Sequence, residues 1–191
     1  QEGEAFLRAL AERIAAHYPN VTIASLVGRF YAMDRDEQWG RTRRAYELLT
    51  AGIGAPFTNP VETIAQSYAK GITDEFVEPG YLERDGKPIG RINDGDGLIC
   101  FNFREDSMRQ ITEAFARENF PSFPRTRLGK LRIASMTAYE EHLPAVATAF
   151  PPLEISWSLS RVIATGGMRQ LHIAETEKYA HVTYFFNGGI E

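Results

Sequence analysis

Three short runs constrain the fold most: VTIASLVG (residues 21–28), GLICFNF (97–103) and LRIASMT (131–137). Each is apolar, β-branched and bounded by turn residues, the pattern of a strand buried on both faces. Helical periodicity stands between them. Phe6, Leu7, Leu10, Ile14 and Ala15 place an amphipathic helix over 3–17, closed by Pro19-Asn20. Trp39, Ala45, Tyr46, Leu48 and Leu49 place a second over 36–50. Thr58-Asn59-Pro60 with Glu62 is a start signal for a third, running to about residue 71. A fourth covers about 106–118. Strands alternating with helices are the grammar of an α/β fold.

The rest of the chain reads as punctuation and a change of pattern. Pro79-Gly80, Asp85-Gly86 and Asp94-Gly95 mark turns around a small hairpin within 72–95. Phe150-Pro151-Pro152 makes about 150–154 the best linker candidate. Beyond it the expectation is a helix over about 156–165, a strand over 171–174 and a helix over about 176–182.

Composition excludes whole classes. With 43% hydrophobic and 24% charged residues the chain is no disordered segment. A net charge of -4 argues against nucleic-acid binding through overall charge. No apolar run is long enough to span a bilayer, so no membrane partner is expected. The acidic, amphipathic start does not read as a signal peptide. The single cysteine, Cys100, fits a reducing compartment and reads as core. Both ends are abrupt, and the expectation is a piece of something larger.

Candidate chemistry sits where strands end. Five arginines follow the first strand: Arg29 and Arg35 before the helix, and Arg41, Arg43 and Arg44 on it. Arginine grips carboxylate or phosphate through a planar donor fork that stays charged. Arg104 follows the second strand at the start of a helix, whose N-terminus favours anions. Two readings stand. Arg29 and Arg104 converge on one small anion, or each pairs with neighbouring acids such as Glu105 or Asp106. Lys178, just beyond the last strand, reads either as a phosphate contact or as a solvated cation.

Other motifs are negative. His17, His142, His172 and His181 have no metal-ligand spacing. Asp94 and Asp96 read as a tight turn rather than a calcium loop. No G-x-S-x-G, Walker, G-x-G-x-x-G or C-x-x-C pattern is present.

Longer stretches carry a family resemblance. ASLVGRFYAMDRD, DEFVEP, DGDGLICFNFRED, RQITEAF, MTAYEEHLP and AETEKYAHVTYFFNGG together resemble the 2,3-bisphosphoglycerate-independent phosphoglycerate mutases, over nearly the whole chain. The resemblance implies a three-layer open, mostly parallel sheet flanked by helices, the phosphotransferase domain. It places that domain at 1–150, incomplete at its N-terminus, and the first, truncated segment of the returning alkaline-phosphatase-like domain at 151–191. It implies interconversion of 3- and 2-phosphoglycerate in glycolysis and gluconeogenesis through a phosphoserine, in the cytoplasm. Two manganese ions (Mn2+) take part and 2,3-bisphosphoglycerate is not required. The parent is expected to be monomeric.

By the same resemblance, Arg29, Arg35 and Arg104 contact the substrate. Lys178 faces the phosphate from the phosphatase side. The serine nucleophile and every metal ligand fall outside this chain, which is therefore expected to be inactive alone and to need the missing parts of its parent. One position departs. The family usually has a second arginine three residues after the first, and here that position is Ser107. Arg109 points about 200° away around the helix and is no obvious substitute. Two alternatives remain: a non-catalytic small-anion module from a truncated gene, and a nucleic-acid binder using Arg41–Arg44, which the acidic balance disfavours.

Overall fold

The computed structural model describes residues 2–140, 143–144, 146–153 and 155–190. His142 and part of MTAYEEHLP lie outside the described residues. The chain divides into two compact units, Gln1–Phe150 and Pro151–Glu191.

The first unit is α/β, built on two small sheets. In one, β3 (Gly80–Arg84) is central. It pairs antiparallel with β1 (Ser25–Leu26) and with β4 (Lys87–Pro88), and parallel with β2 (Ala55–Phe57). Asp85 and Gly86 take positive φ values of 53° and 71°, which closes the β3–β4 hairpin in two residues. The other sheet is wholly parallel, in the order β5 (Gly97–Cys100), β6 (Arg132–Ser135), β7 (Val146–Thr148). Helix α1 (Gly3–His17) leads the chain, and α2 (Arg29–Ala32), α3 (Trp39–Ala51) and α4 (Pro60–Ala69) fall between β1 and β3. Helix α5 (Asp106–Ala116) lies between β5 and β6.

Local chemistry explains these elements. Asn59 caps α4, its Oδ1 accepting from the Val61 and Glu62 amides at 3.0 and 3.3 Å, while Pro60 takes the first helical position. Helix α3 ends at Gly52 in the left-handed region (φ 69°). The main core joins α3, α5 and the second sheet through Ala45, Tyr46, Ile111, Phe115, Ile133 and Tyr139. The Tyr46 and Phe115 rings lie 4.7 Å apart.

Several expectations shift. The strand read over 21–28 shrinks to Ser25–Leu26, whose register pairs with Tyr81 and Gly80 of β3, with the Ala24 carbonyl adding one hydrogen bond from the Leu82 amide. Arg29, read as a loop residue, opens the one-turn helix α2. Strands β2 and β7 were hidden by their three-residue length, and β2 also by Pro56.

The second unit carries helix α6 (Leu159–Thr165), with the Ser158 hydroxyl accepting from the Arg161 amide. Residues 171–174, read as a strand, have no pairing partner among the described residues, and Leu171 and Ile173 are exposed. The helix read over 176–182 is a 3-10 turn at Thr176–Lys178 followed by a π-helical turn at His181–Phe185.

Candidate functional site: an arginine-lined cavity

Tight backbone packing positions the first arginine. The Gly28 amide donates to the Val77 carbonyl at 2.7 Å. A Cβ at Gly28 would lie 2.6 Å from the Val77 nitrogen, closer than real Cβ contacts come. Glycine thus lets the 75–77 segment press against the start of α2. That contact sets Glu75 beside Arg29, whose NH2 lies 3.1 Å from its Oε2. It also sets Glu78 under the Tyr31 hydroxyl, which donates to it at 2.6 Å. Burial works against ionisation of Glu78, but hydrogen bonds from Tyr31 and Arg44 outweigh it and leave the carboxyl below its ordinary range.

Arg104 is placed by the end of β5. The Tyr139 hydroxyl, with one proton to share, sits 2.9 and 2.7 Å from the Cys100 and Asn102 carbonyls. It pins the chain just before Arg104 turns toward α5. Arg35 reaches the same place from the loop after α2, and both guanidiniums meet Asp106 at the start of α5. The hydrogen bonds from Arg104, the largest influence, outweigh the opposing effect of burial, and with weaker help from Arg35 and Ser107 they hold the Asp106 carboxyl far below the ordinary carboxylate range.

Arg29, Arg35 and Arg104 line one open cavity of about 320 Å³, together with Asn102 and Ser107. That volume suits a small ligand. Lys178 belongs to the second unit, half-exposed, with its Nζ 3.5 Å from Glu175 and 3.3 Å from Glu177.

Arg41 also lines the cavity. Its NH1 donates to Asp34 Oδ1 at 2.9 Å, and its guanidinium lies 4.0 Å over the Phe30 ring. Asp34 is buried and fully engaged: its Oδ2 also accepts from the Gln38 amide at 2.8 Å and from Gln110 Nε2 at 2.9 Å. The helical period held the signal, since Arg41 lies one turn before buried Ala45. Arg43 pairs with Glu47 and Arg44 with Glu78, outside the cavity. Arg109 turns away to the Tyr139 carbonyl and Glu140.

The two acids of the suspected turn are structural. Asp94 Oδ1 accepts from the Lys130 amide and Asp96 Oδ2 from the Asn93 amide, both at 2.7 Å. Burial pushes the Cys100 thiol up, as suits inert core.

Residues 1–141 match the family described as BPG-independent PGAM N-terminus. The chain belongs to this family. It is 51% identical over 171 residues to the 2,3-bisphosphoglycerate-independent phosphoglycerate mutase of Moorella thermoacetica. It is 50% identical over 172 residues to that of Thermomicrobium roseum. In each case the match takes in 88% of this chain and 33% of the relative, so the chain spans about a third of the length of these mutases. A solved structure of Leishmania mexicana phosphoglycerate mutase at low cobalt concentration superposes with a TM-score of 0.78 at 31% identity, covering 98% of this chain and 36% of that one. The α/β fold is therefore that of a phosphoglycerate mutase.

Among the described residues no three His, Cys, Asp or Glu side chains gather as a metal would require. They do not fit a manganese site. No described helix is long and apolar enough to cross a membrane.

Proposed function

We propose that this chain supplies the substrate cradle of a 2,3-bisphosphoglycerate-independent phosphoglycerate mutase, a glycolytic isomerase of the cytoplasm. One observation carries the reading. Guanidiniums from three separate stretches of chain, Arg29 and Arg35 around α2, Arg41 on α3 and Arg104 after β5, line one small cavity. Arg29, Arg35 and Arg104 bind the carboxylate and phosphate of phosphoglycerate, and Lys178 meets the phosphate from residues 151–191. These residues open the phosphatase-like domain that follows the phosphotransferase domain of 1–150.

Such a cradle suits a reaction in which the ligand gives up its phosphoryl group to a serine, turns, and takes it back on the neighbouring hydroxyl. Planar forks arriving from several sides hold the small anion through each orientation. They also stabilise the charge that develops on the phosphoryl oxygens. The serine and the manganese ligands belong to other parts of the parent, so this chain binds without turning over.

Titration calorimetry of the 191-residue chain with 3-phosphoglycerate tests the reading. Binding that weakens in Arg104→Gln, with no 2-phosphoglycerate formed, is expected. Absence of binding, or isomerisation by the chain alone, overturns it.

A further inference from the structure

Asp106 stands between two arginines that approach the cavity from separate stretches of the chain. Arg104 grips it with two prongs, Nε to Oδ1 at 2.7 Å and NH2 to Oδ2 at 3.0 Å. Arg35 reaches Oδ2 with NH1 at 2.7 Å, and the Ser107 hydroxyl donates to Oδ1 at 3.0 Å. All three donors line the cavity. Among the described residues, every side chain that donates to this carboxylate lines the cavity.

We infer that Asp106 is a positioning residue that yokes Arg35 and Arg104 into one anion-holding pair. The inference rests on the cradle reading and adds to it a group that meets no ligand itself. A guanidinium is flat and rigid, so fixing one edge fixes the direction of every other N–H. Arg104 spends Nε and part of NH2 on Asp106, which leaves NH1 free to donate. Arg35 spends one N–H and keeps the rest. Two exposed arginines brought side by side repel each other and fluctuate. A carboxylate between them offsets the repulsion and removes rotamer freedom before the ligand arrives, which lowers the entropy cost of binding. Asp36 is the natural control. It lines the same cavity and makes no ion pair among the described residues.

Electrostatics alone and positioning predict opposite signs. Removing a negative charge beside an anion site strengthens anion binding, whereas removing the yoke weakens it. The chain and its Asp106→Asn, Asp106→Glu and Asp36→Asn variants are titrated with 3-phosphoglycerate and with inorganic phosphate at fixed ionic strength. Asp106→Asn is expected to weaken 3-phosphoglycerate about five- to tenfold, a change of about 1–1.4 kcal/mol. Asp36→Asn, which removes a negative charge from the same cavity without breaking an ion pair among the described residues, tightens binding. Asp106→Glu, which keeps the charge but displaces the fork, weakens it by about two- to threefold.

The Arg104 Nε–H resonance gives a readout that overall folding would not move. In Asp106→Asn it shifts toward that of a free guanidinium while the amide spectrum stays dispersed. Unchanged or tighter binding by a folded Asp106→Asn overturns the inference and leaves the cradle standing. Loss of all binding in the unmodified chain overturns the cradle and the inference with it. Where Asp106→Asn does not fold, Asp106→Glu decides: weaker binding supports the yoke, and unchanged binding refutes it.

Discussion

The two units handle apolar residues differently. In the first, Tyr46, Phe115, Ile133 and Tyr139 are buried against one another between helices and a parallel sheet. In the second, Leu153, Leu171 and Ile173 are more than 80% exposed (88%, 85% and 83%), and Ser158 is the one buried residue among those described. Both regions contain strong local signals. What separates them is long-range pairing: a strand exists only where a neighbour completes its hydrogen bonds, and a short stretch of chain buries too little surface to form a core.

Truncation in each region gives the largest expected contrast. Phe115→Ala removes a ring packed on Tyr46, and is expected to cost about 3–5 kcal/mol in urea unfolding. Leu171→Ala, at 85% exposure, is expected to change stability by less than about 0.5 kcal/mol. Equal costs would abolish the distinction between the units.

The contrast extends to the cationic residues. Arg104 lines the cavity, and Arg104→Gln is expected to lower 3-phosphoglycerate affinity of the chain about tenfold or more by calorimetry. Lys178 is half-exposed between Glu175 and Glu177, so Lys178→Gln in the same chain is expected to have a smaller effect, about twofold. A larger loss at Lys178 than at Arg104 would remove Arg104 as the main anion contact.

The α/β class and the placing of Arg29 and Arg104 at strand ends were legible in the sequence, because both rest on local pattern: buried runs, helical periods and charge placed where a strand stops; Arg35 entered through the family resemblance. Asn59, Asp85-Gly86 and Gly52 behaved as their local chemistry required. What stayed hidden depends on distant partners. Arg41 and Arg44 look alike on one helix. Only Asp34 and the Phe30 ring draw Arg41 into the cavity, while Glu78, 34 residues away, draws Arg44 out. Arg35 and Arg104 come together through Asp106, which is 71 residues from Arg35. Residues 171–174 look like a strand and have no pairing neighbour among the described residues.

Acid sharpens the contrast further. The folded-state pKa of Asp106 is depressed, so its contribution to stability is fully present above the unfolded value of about 3.9. It is lost as pH falls below that toward the folded value. Melting curves between about pH 5 and pH 2 are expected to show stability falling in the unmodified chain and a shallower fall in Asp106→Asn. Parallel curves would remove Asp106 from the ionic framework.

The smallest effect is expected at Ser107, where the resemblance read from the sequence implies arginine. Its hydroxyl donates to Asp106 Oδ1 at 3.0 Å, and its side chain lines the cavity. Ser107→Arg loses one modest hydrogen bond, worth about 1 kcal/mol, on a partner that Arg104 and Arg35 already hold. The new guanidinium would have open space and a carboxylate within reach. Arg41, stacked on Phe30 and anchored to Asp34, already places a cation on the same cavity. The variant is therefore expected to fold, with 3-phosphoglycerate affinity equal to or above that of the unmodified chain. A marked loss of affinity would mean that Ser107 is fitted to its neighbours, and that the cavity has been rebuilt around the smaller residue.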